Sequence, residues 1–253
     1  MKKLFLLFLP FFLFSCNSED VPQKPEKEQA EVTVWGYFVA DTNIKSDIRN
    51  NIKTMYEGLS KMDKQATLLI YWDGGSSDSY LESSPSIIRY TTDGYGNING
   101  LAARDSSYSI RFICEQAETV KAYPSQLSTD KDVMTSALKD MKSFSPTEKI
   151  VFVAGSHGSA WWKNITASAK STRAFGQDGS NTENTITTPD MAEAIANAGV
   201  KLDLLLFDAC MMGTTEVCYD FRNVTNYMLV SALDVPAPGF PYFNIMNSLY
   251  EGT

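Results

Sequence analysis

Four stretches of this chain, residues 32–39, 66–72, 150–154 and 202–207, are apolar at nearly consecutive positions rather than alternate ones, broken only by Thr33, Gly36, Thr67 and Asp203. Successive side chains of a strand point to opposite faces, so a strand with one wet face alternates apolar and polar residues. Consecutive apolar residues over a strand's length mean burial on both faces. Between these stretches the period changes. Ile48, Ile52, Met55, Tyr56 and Leu59 recur at helical spacing, as do Val133, Ala137, Leu138 and Met141. Thr129-Asp130-Lys131-Asp132 has the T-x-x-D form of a capping signal before the second set. Thr188-Pro189 opens a third helix that Gly199 closes. Residues 228–231 read as a fifth strand. Residues 87–90, with the turn-rich 93–97, read as a small hairpin outside the core sheet. Strands alternating with helices predict an α/β fold, a mainly parallel sheet with helices on both faces. The 253 residues suit one such domain, or at most two small ones.

Composition removes several function classes. There are 22 Lys+Arg against 30 Asp+Glu, a net charge of −8, which argues against a nucleic-acid partner. With 43% hydrophobic and 21% charged residues the chain is not broadly disordered. A single histidine, His157, excludes a zinc site built on several imidazoles and routes any imidazole chemistry through one position.

The first residues read as an address. Met1-Lys2-Lys3 precedes an apolar run, 4–14, broken only by Pro10. This is the form of a secretory leader, too short to cross a bilayer as a helix. It ends in Leu13-Phe14-Ser15-Cys16, which resembles a bacterial lipobox with Cys16 as the lipidated mature N-terminus; a general signal peptide cleaved nearby is the alternative. Residues 1–15 are therefore expected to be a lipoprotein signal peptide, and 16–31 the lipidated cysteine with an acidic tether. Residues 17–31 hold two Pro, four Glu, one Asp and two Lys, with little to bury. Asn17-Ser18-Glu19-Asp20 resembles the surface-export signals of Bacteroidetes lipoproteins. The expected location is the cell envelope, lipid-anchored at the outer membrane and exposed at the surface. Residues 32–253 are the expected folded domain, stopping at Glu251-Gly252-Thr253 within a helical pattern, as a truncated domain would.

Ligands of parallel α/β sheets gather at the carboxyl ends of strands. Two such ends carry reactive groups. Residues 150–154 run into Gly155-Ser156-His157-Gly158, where glycines permit close backbone approach. Residues 202–207 run into Asp208-Ala209-Cys210, an acid and a thiol two residues apart and so on one face of a continuing strand. A helix start over 214–219 would favour the thiolate of Cys210. Each residue also has a bland reading: His157 as a surface residue in a turn, Cys210 as a structural thiol. Cys114 and Cys218 fit that structural role. Taken together, the two ends form a plausible nucleophile and acid–base pair.

The run Ser156-His157-Gly158-Ser159-x-Trp161, followed by Leu204-Leu205-Leu206-Phe207-Asp208-Ala209-Cys210-Met211-Met212-Gly213-x-x-Glu216, resembles the clostripain family of cysteine peptidases. Residues 32–43, 67–73 and 232–242 support it, so the likeness runs from Val32 to the end. It implies a caspase-like mainly parallel sheet covered by helices on both faces. It also implies an endopeptidase that cleaves proteins or peptides after Arg, and after Lys. Cys210 matches the nucleophile, His157 its partner, and Asp208 the acid that reads the basic side chain. The N–H groups of Gly158 and Cys210 match the oxyanion hole. Self-processing between His and Cys would fall at Lys163, Lys170 or Arg173, in a stretch, 159–184, that reads as a long exposed loop. The chemistry needs no cofactor, although some members need calcium. No third residue orienting His157 can be assigned. The rival expectation is a catalytically inactive caspase-like surface lipoprotein that binds peptides or glycans.

Overall fold

The computed structural model describes residues 24–102, 109–159 and 173–251. The chain runs β1 (Val32–Val39), α1 (Lys45–Leu59), β2 (Ala66–Asp73), β3 (Ser86–Thr92), β4 (Asn97–Ile98), β5 (Leu101–Ala102), α2 (Ile110–Glu115) and β6 (Glu118–Ala122). It continues with α3 (Lys131–Phe144), β7 (Lys149–Gly155), β8 (Gly158–Ser159), β9 (Ala174–Phe175), β10 (Ile186–Thr187) and α4 (Thr188–Asn197). It ends with β11 (Leu202–Asp208), α5 (Thr215–Phe221), β12 (Thr225–Leu229) and α6 (Tyr242–Glu251).

The main sheet has the order β12–β11–β7–β1–β2–β3–β4–β5, with β6 also paired to β3. The five strands from β12 to β2 are parallel, and β3, β4, β5 and β6 are antiparallel. The consecutive apolar residues divide between two cores. Trp35, Tyr37 and Val39 of β1 face one way with Phe152 and Phe207, under α3, α4 and α5. Val34 and Phe38 face the other with Leu68, Ile70 and Val153, under α1 and α6. Helices α1 and α6 meet at Gly58, where a Cβ would lie 2.7 Å from Met246 Cβ.

Four expectations change in detail. Residues 87–90 belong to a core strand, since β3 pairs with β2 from Ser86 to Thr92 and buries Ile87, Ile88 and Tyr90. Pro85 and the turn at 93–97 shorten its apolar pattern in sequence, although that turn does lead into the hairpin partner β4. The α3 cap is Asp130, whose carboxylate accepts from the N–H groups of Asp132 and Val133, rather than Thr129. The fifth strand is Thr225–Leu229, three residues earlier than expected. It lies at the sheet edge with Tyr227 exposed, so it lacks an apolar run. Before β1, Gln29 bridges Gln65 and Ala30 is buried, so packing starts inside the expected tether.

Candidate active site

The carboxyl ends of β7 and β11 lie side by side, with Gly155 in register with Asp208. Beyond Asp208 the chain turns sharply. Met211 has φ +61°, in the left-handed region that a side chain makes costly. Two backbone bonds hold the turn: Met211 N–H donates to Leu233 O at 3.0 Å, and Gly213 N–H to Ser231 O at 2.7 Å. Cys210 sits at this turn, partly buried, with Val235 N 3.4 Å from its Sγ. Helix α5 begins only at Thr215, whose cap Thr214 accepts from Val217 N–H. The main chain of residue 235, rather than the first turn of α5, is therefore the donor observed at the thiol.

His157 follows β7 in a tightly packed turn. A Cβ at Gly158 would lie 2.5 Å from Cys210 O and 3.0 Å from Ala209 Cβ, so only glycine lets the two turns touch. Ser156 Oγ donates to Val39 O at 2.7 Å, and Gly176 N–H donates to His157 O at 2.9 Å. The imidazole Nε2 lies 2.8 Å from Asn43 Oδ1. Burial pushes the His157 pKa below its ordinary value, favouring the neutral ring.

Asp208 is the most buried acid of the cleft. Asn51 Nδ2 and Tyr242 Oη both donate to its Oδ2, each at 2.7 Å. Among the described residues Oδ1 has no donor. Burial raises the Asp208 pKa, and the Tyr242 bond partly offsets this. Gly239, at φ +65°, lies over the carboxylate, where a Cβ would be 2.6 Å from Oδ2. His157, Asp208 and Cys210 line one cavity of about 180 Å³, with Asp47 and Asn51 of α1 opposite and residues 235–237 beside them. A larger groove of about 660 Å³ lies near the amino end of β2, lined by Thr67, Arg89 and Glu118 among others. It carries no nucleophile beside a base, and Arg89 is spent on an ion pair with Glu118.

A sequence profile of the clostripain family, peptidase family C11, matches residues 36–252. This chain belongs to the clostripain family. Clostripain of Hathewaya histolytica is 24% identical over 254 aligned residues, covering 93% of this chain and 46% of that protein. A secreted C11 cysteine protease of Bacteroides thetaiotaomicron, solved with an irreversible peptide inhibitor, is 27% identical with a TM-score of 0.66. That match covers 87% of this chain and 54% of the other. An inactive zymogen C11 protease of Parabacteroides distasonis shares the fold at a TM-score of 0.64 and 23% identity, covering 90% of this chain and 55% of the other. The chain therefore spans about half the length of these relatives. The mainly parallel sheet with helices on both faces is the caspase-like arrangement expected for a clostripain-family chain.

For calcium, a cluster of side-chain acids among the described residues was the feature to look for. Among the described residues no group of three or more His, Cys, Asp or Glu side chains is arranged to hold a metal. One pair of acids in this clostripain-family chain, Asp73 and Asp178, is already hydrogen-bonded. Asp73 takes Ser128 Oγ–H and Gly75 N–H, and Asp178 takes Ser128 N–H at 2.6 Å. Tyr37 Oη–H donates to Ser128 O at 2.7 Å, making Ser128 a junction of four segments. Burial raises the pKa of Asp73, and burial with the nearby Asp73 and Asp41 charges raises that of Asp178 to about 6.

Of the processing stretch, residues 159 and 173–184 are described. Arg173 pairs with Asp220 at 3.2 Å, and the next residues, Ala174 and Phe175, are buried in β9. Phe175 packs on Phe207 with ring centroids 5.6 Å apart, so the bond after Arg173 is not displayed for cleavage. Lys163, Lys170 and the lipidation candidate Cys16 lie outside the described residues. Cys114 and Cys218 are free and only partly buried. Burial pushes the Cys114 thiol up to about 11, which disfavours its thiolate. Asn51 and Tyr242 went unassigned from the sequence. The available signal was an asparagine within the apolar stripe of Ile48, Ile52 and Met55.

Proposed function

We propose that this chain carries the centre of a cysteine endopeptidase that cleaves after Arg or Lys. The observation that carries the proposal is the convergence of His157, Cys210 and the half-buried Asp208 on one small cavity. The Cys210 thiolate attacks the carbonyl carbon after the basic residue, forming the S–C bond of a tetrahedral intermediate. The N–H groups of Gly158 and Cys210 hold the oxyanion, each such donor contributing about 3 kcal/mol in comparable sites. His157, having taken the thiol proton, returns it to the departing amine as the C–N bond breaks. Water then attacks the thioester, His157 takes its proton, and the acid product leaves with Cys210 restored.

Asp208 faces the cation of the substrate. End-on bidentate pairing, the basis for expecting Arg to be preferred, needs both carboxylate oxygens. Here Oδ2 already accepts two bonds, so Oδ1 makes the substrate contact and Lys is recognised nearly as well as Arg. Self-processing is assigned to the bonds after Lys163 or Lys170. Lipidation at Cys16, with anchoring at the outer membrane and exposure at the surface, completes the proposal. A lipid anchor of several acyl chains would be stable, since each buried CH₂ contributes about 0.8 kcal/mol.

The test is a fluorogenic peptide assay with Arg, Lys or Gln before the scissile bond, under reductant, using this chain and any longer form of the gene. Turnover of the Arg and Lys peptides, lost in Cys210→Ala, is expected. Binding of peptides or glycans with no turnover in either form would favour the inactive surface lipoprotein instead.

A further inference from the structure

Beside the cleft lies a residue whose place the dyad alone does not explain. Asn43 lies in the turn between β1 and α1, with its Oδ1 2.8 Å from His157 Nε2. We infer that Asn43 is a positioning residue that holds the His157 ring with its proton on Nε2, leaving Nδ1 to exchange a proton with Cys210. This rests on the Cys210–His157 reading above and adds the residue that makes the imidazole a base of one defined tautomer. An amide oxygen can only accept, so its partner nitrogen carries the hydrogen. Nδ1 then has the lone pair, as a base toward a thiol requires.

The contact is built rather than incidental, because both of its ends are tied to one segment. Residues 176–179 donate to each turn: Gly176 N–H to His157 O at 2.9 Å, and Gly179 N–H to Asp41 O at 3.0 Å. Gln177 N–H reaches Ser156 Oγ at 3.3 Å, and that hydroxyl donates in turn to Val39 O at the end of β1. Within the Asn43 turn, Ile44 N–H is held by Thr42 Oγ1 at 3.2 Å. The two turns thus have little freedom to separate, and the side-chain pair is set by the backbone beneath it. Burial disfavours the charged ring, in keeping with a neutral acceptor such as Asn43.

The experiment compares wild type with Asn43→Ala, Asn43→Asp and His157→Ala. Asn43 is exposed, and thermal melts of the variants check that the fold is kept. Two rates are measured across pH: turnover of an Arg peptide, and alkylation of Cys210 by iodoacetamide. Asn43→Ala is expected to lower kcat three- to tenfold with KM within twofold, the range to which one neutral hydrogen bond converts. Its alkylation near neutral pH should slow similarly. Asn43→Asp, which retains an acceptor, should restore kcat to within threefold of wild type and move the His157-dependent limb to higher pH. An Asn43→Ala enzyme with wild-type kcat and alkylation, or an Asn43→Asp enzyme as slow as Asn43→Ala, would overturn the assignment. Failure of the dyad itself shows differently: wild-type Cys210 would then be alkylated no faster than in His157→Ala.

Discussion

Replacing Asp208 by Asn separates selection of the substrate from the chemistry performed on it. The substitution keeps size and one acceptor, so Asn51 and Tyr242 still have an oxygen to meet. What disappears is the negative charge on the side of the free Oδ1, where an amide group takes its place. Loss of a desolvated charge partner costs about 2–5 kcal/mol. That is about 30-fold to several-thousandfold in kcat/KM for Arg and Lys peptides. A Gln peptide, with no cation to lose, should be turned over within about threefold of wild type. The fold should not suffer, because Asp208 pays a desolvation penalty that raises its pKa and a neutral amide does not. The assay is kcat/KM for the three peptides at pH 7.5, with a thermal melt of each protein. A uniform fall across all three peptides would assign Asp208 to orienting the nucleophile turn and refute its role in selection. In the wild type, an Arg-to-Lys ratio above about tenfold would refute single-oxygen recognition.

Tyr242→Phe removes one of the two donors to Asp208, so the acid's pKa rises further and the acidic limb of kcat/KM moves to higher pH for basic peptides only; an unmoved limb would count against the pairing. Gly158→Ala places a Cβ 2.5 Å from Cys210 O, and about 1–3 kcal/mol of destabilisation with at least tenfold loss of kcat is expected from melts and kinetics. Asp178 has a folded-state pKa of about 6, above its ordinary value, so its folded form binds the extra proton. Its contribution to stability is greatest below about pH 4 and is lost as pH rises through about 6. Urea melts at pH 4.5 and 7.5 should therefore show a smaller drop between the two in Asp178→Asn than in wild type.

Strands buried on both faces were legible because each core takes every second residue, and two cores together leave few polar positions, such as Thr33, Thr67 and Asp203. The edge strand β12 and the antiparallel β3 were misread for the opposite reason. Tyr227 faces solvent, and the flanking turns of β3 hide a strand whose partner is distant in sequence. His157, Asp208 and Cys210 could be picked out because reactive groups at strand ends are conspicuous. Their helpers were not. Asn43, Asn51 and Tyr242 come from the turn before α1, from α1 and from α6, and only the closed fold brings them to His157 and Asp208. A short polar side chain has no spacing rule that announces its partner. The surroundings of Arg173 were equally hidden, because Asp220 and the Phe175–Phe207 contact reach it only through the fold.

The seam at Gly58 gives this pocket an unusual lever. Asn51 lies about 10 Å back along α1 from that contact, and Tyr242 one turn before Met246 on α6. The two donors that grip Asp208 are therefore mounted on helices whose separation is set by a missing methyl group outside the cleft. With Asp208 in its proposed role, a larger residue at position 58 would shift which substrates are accepted while Cys210 and His157 stay in place. On that reading, substrate choice answers to a glycine that lies outside the cleft.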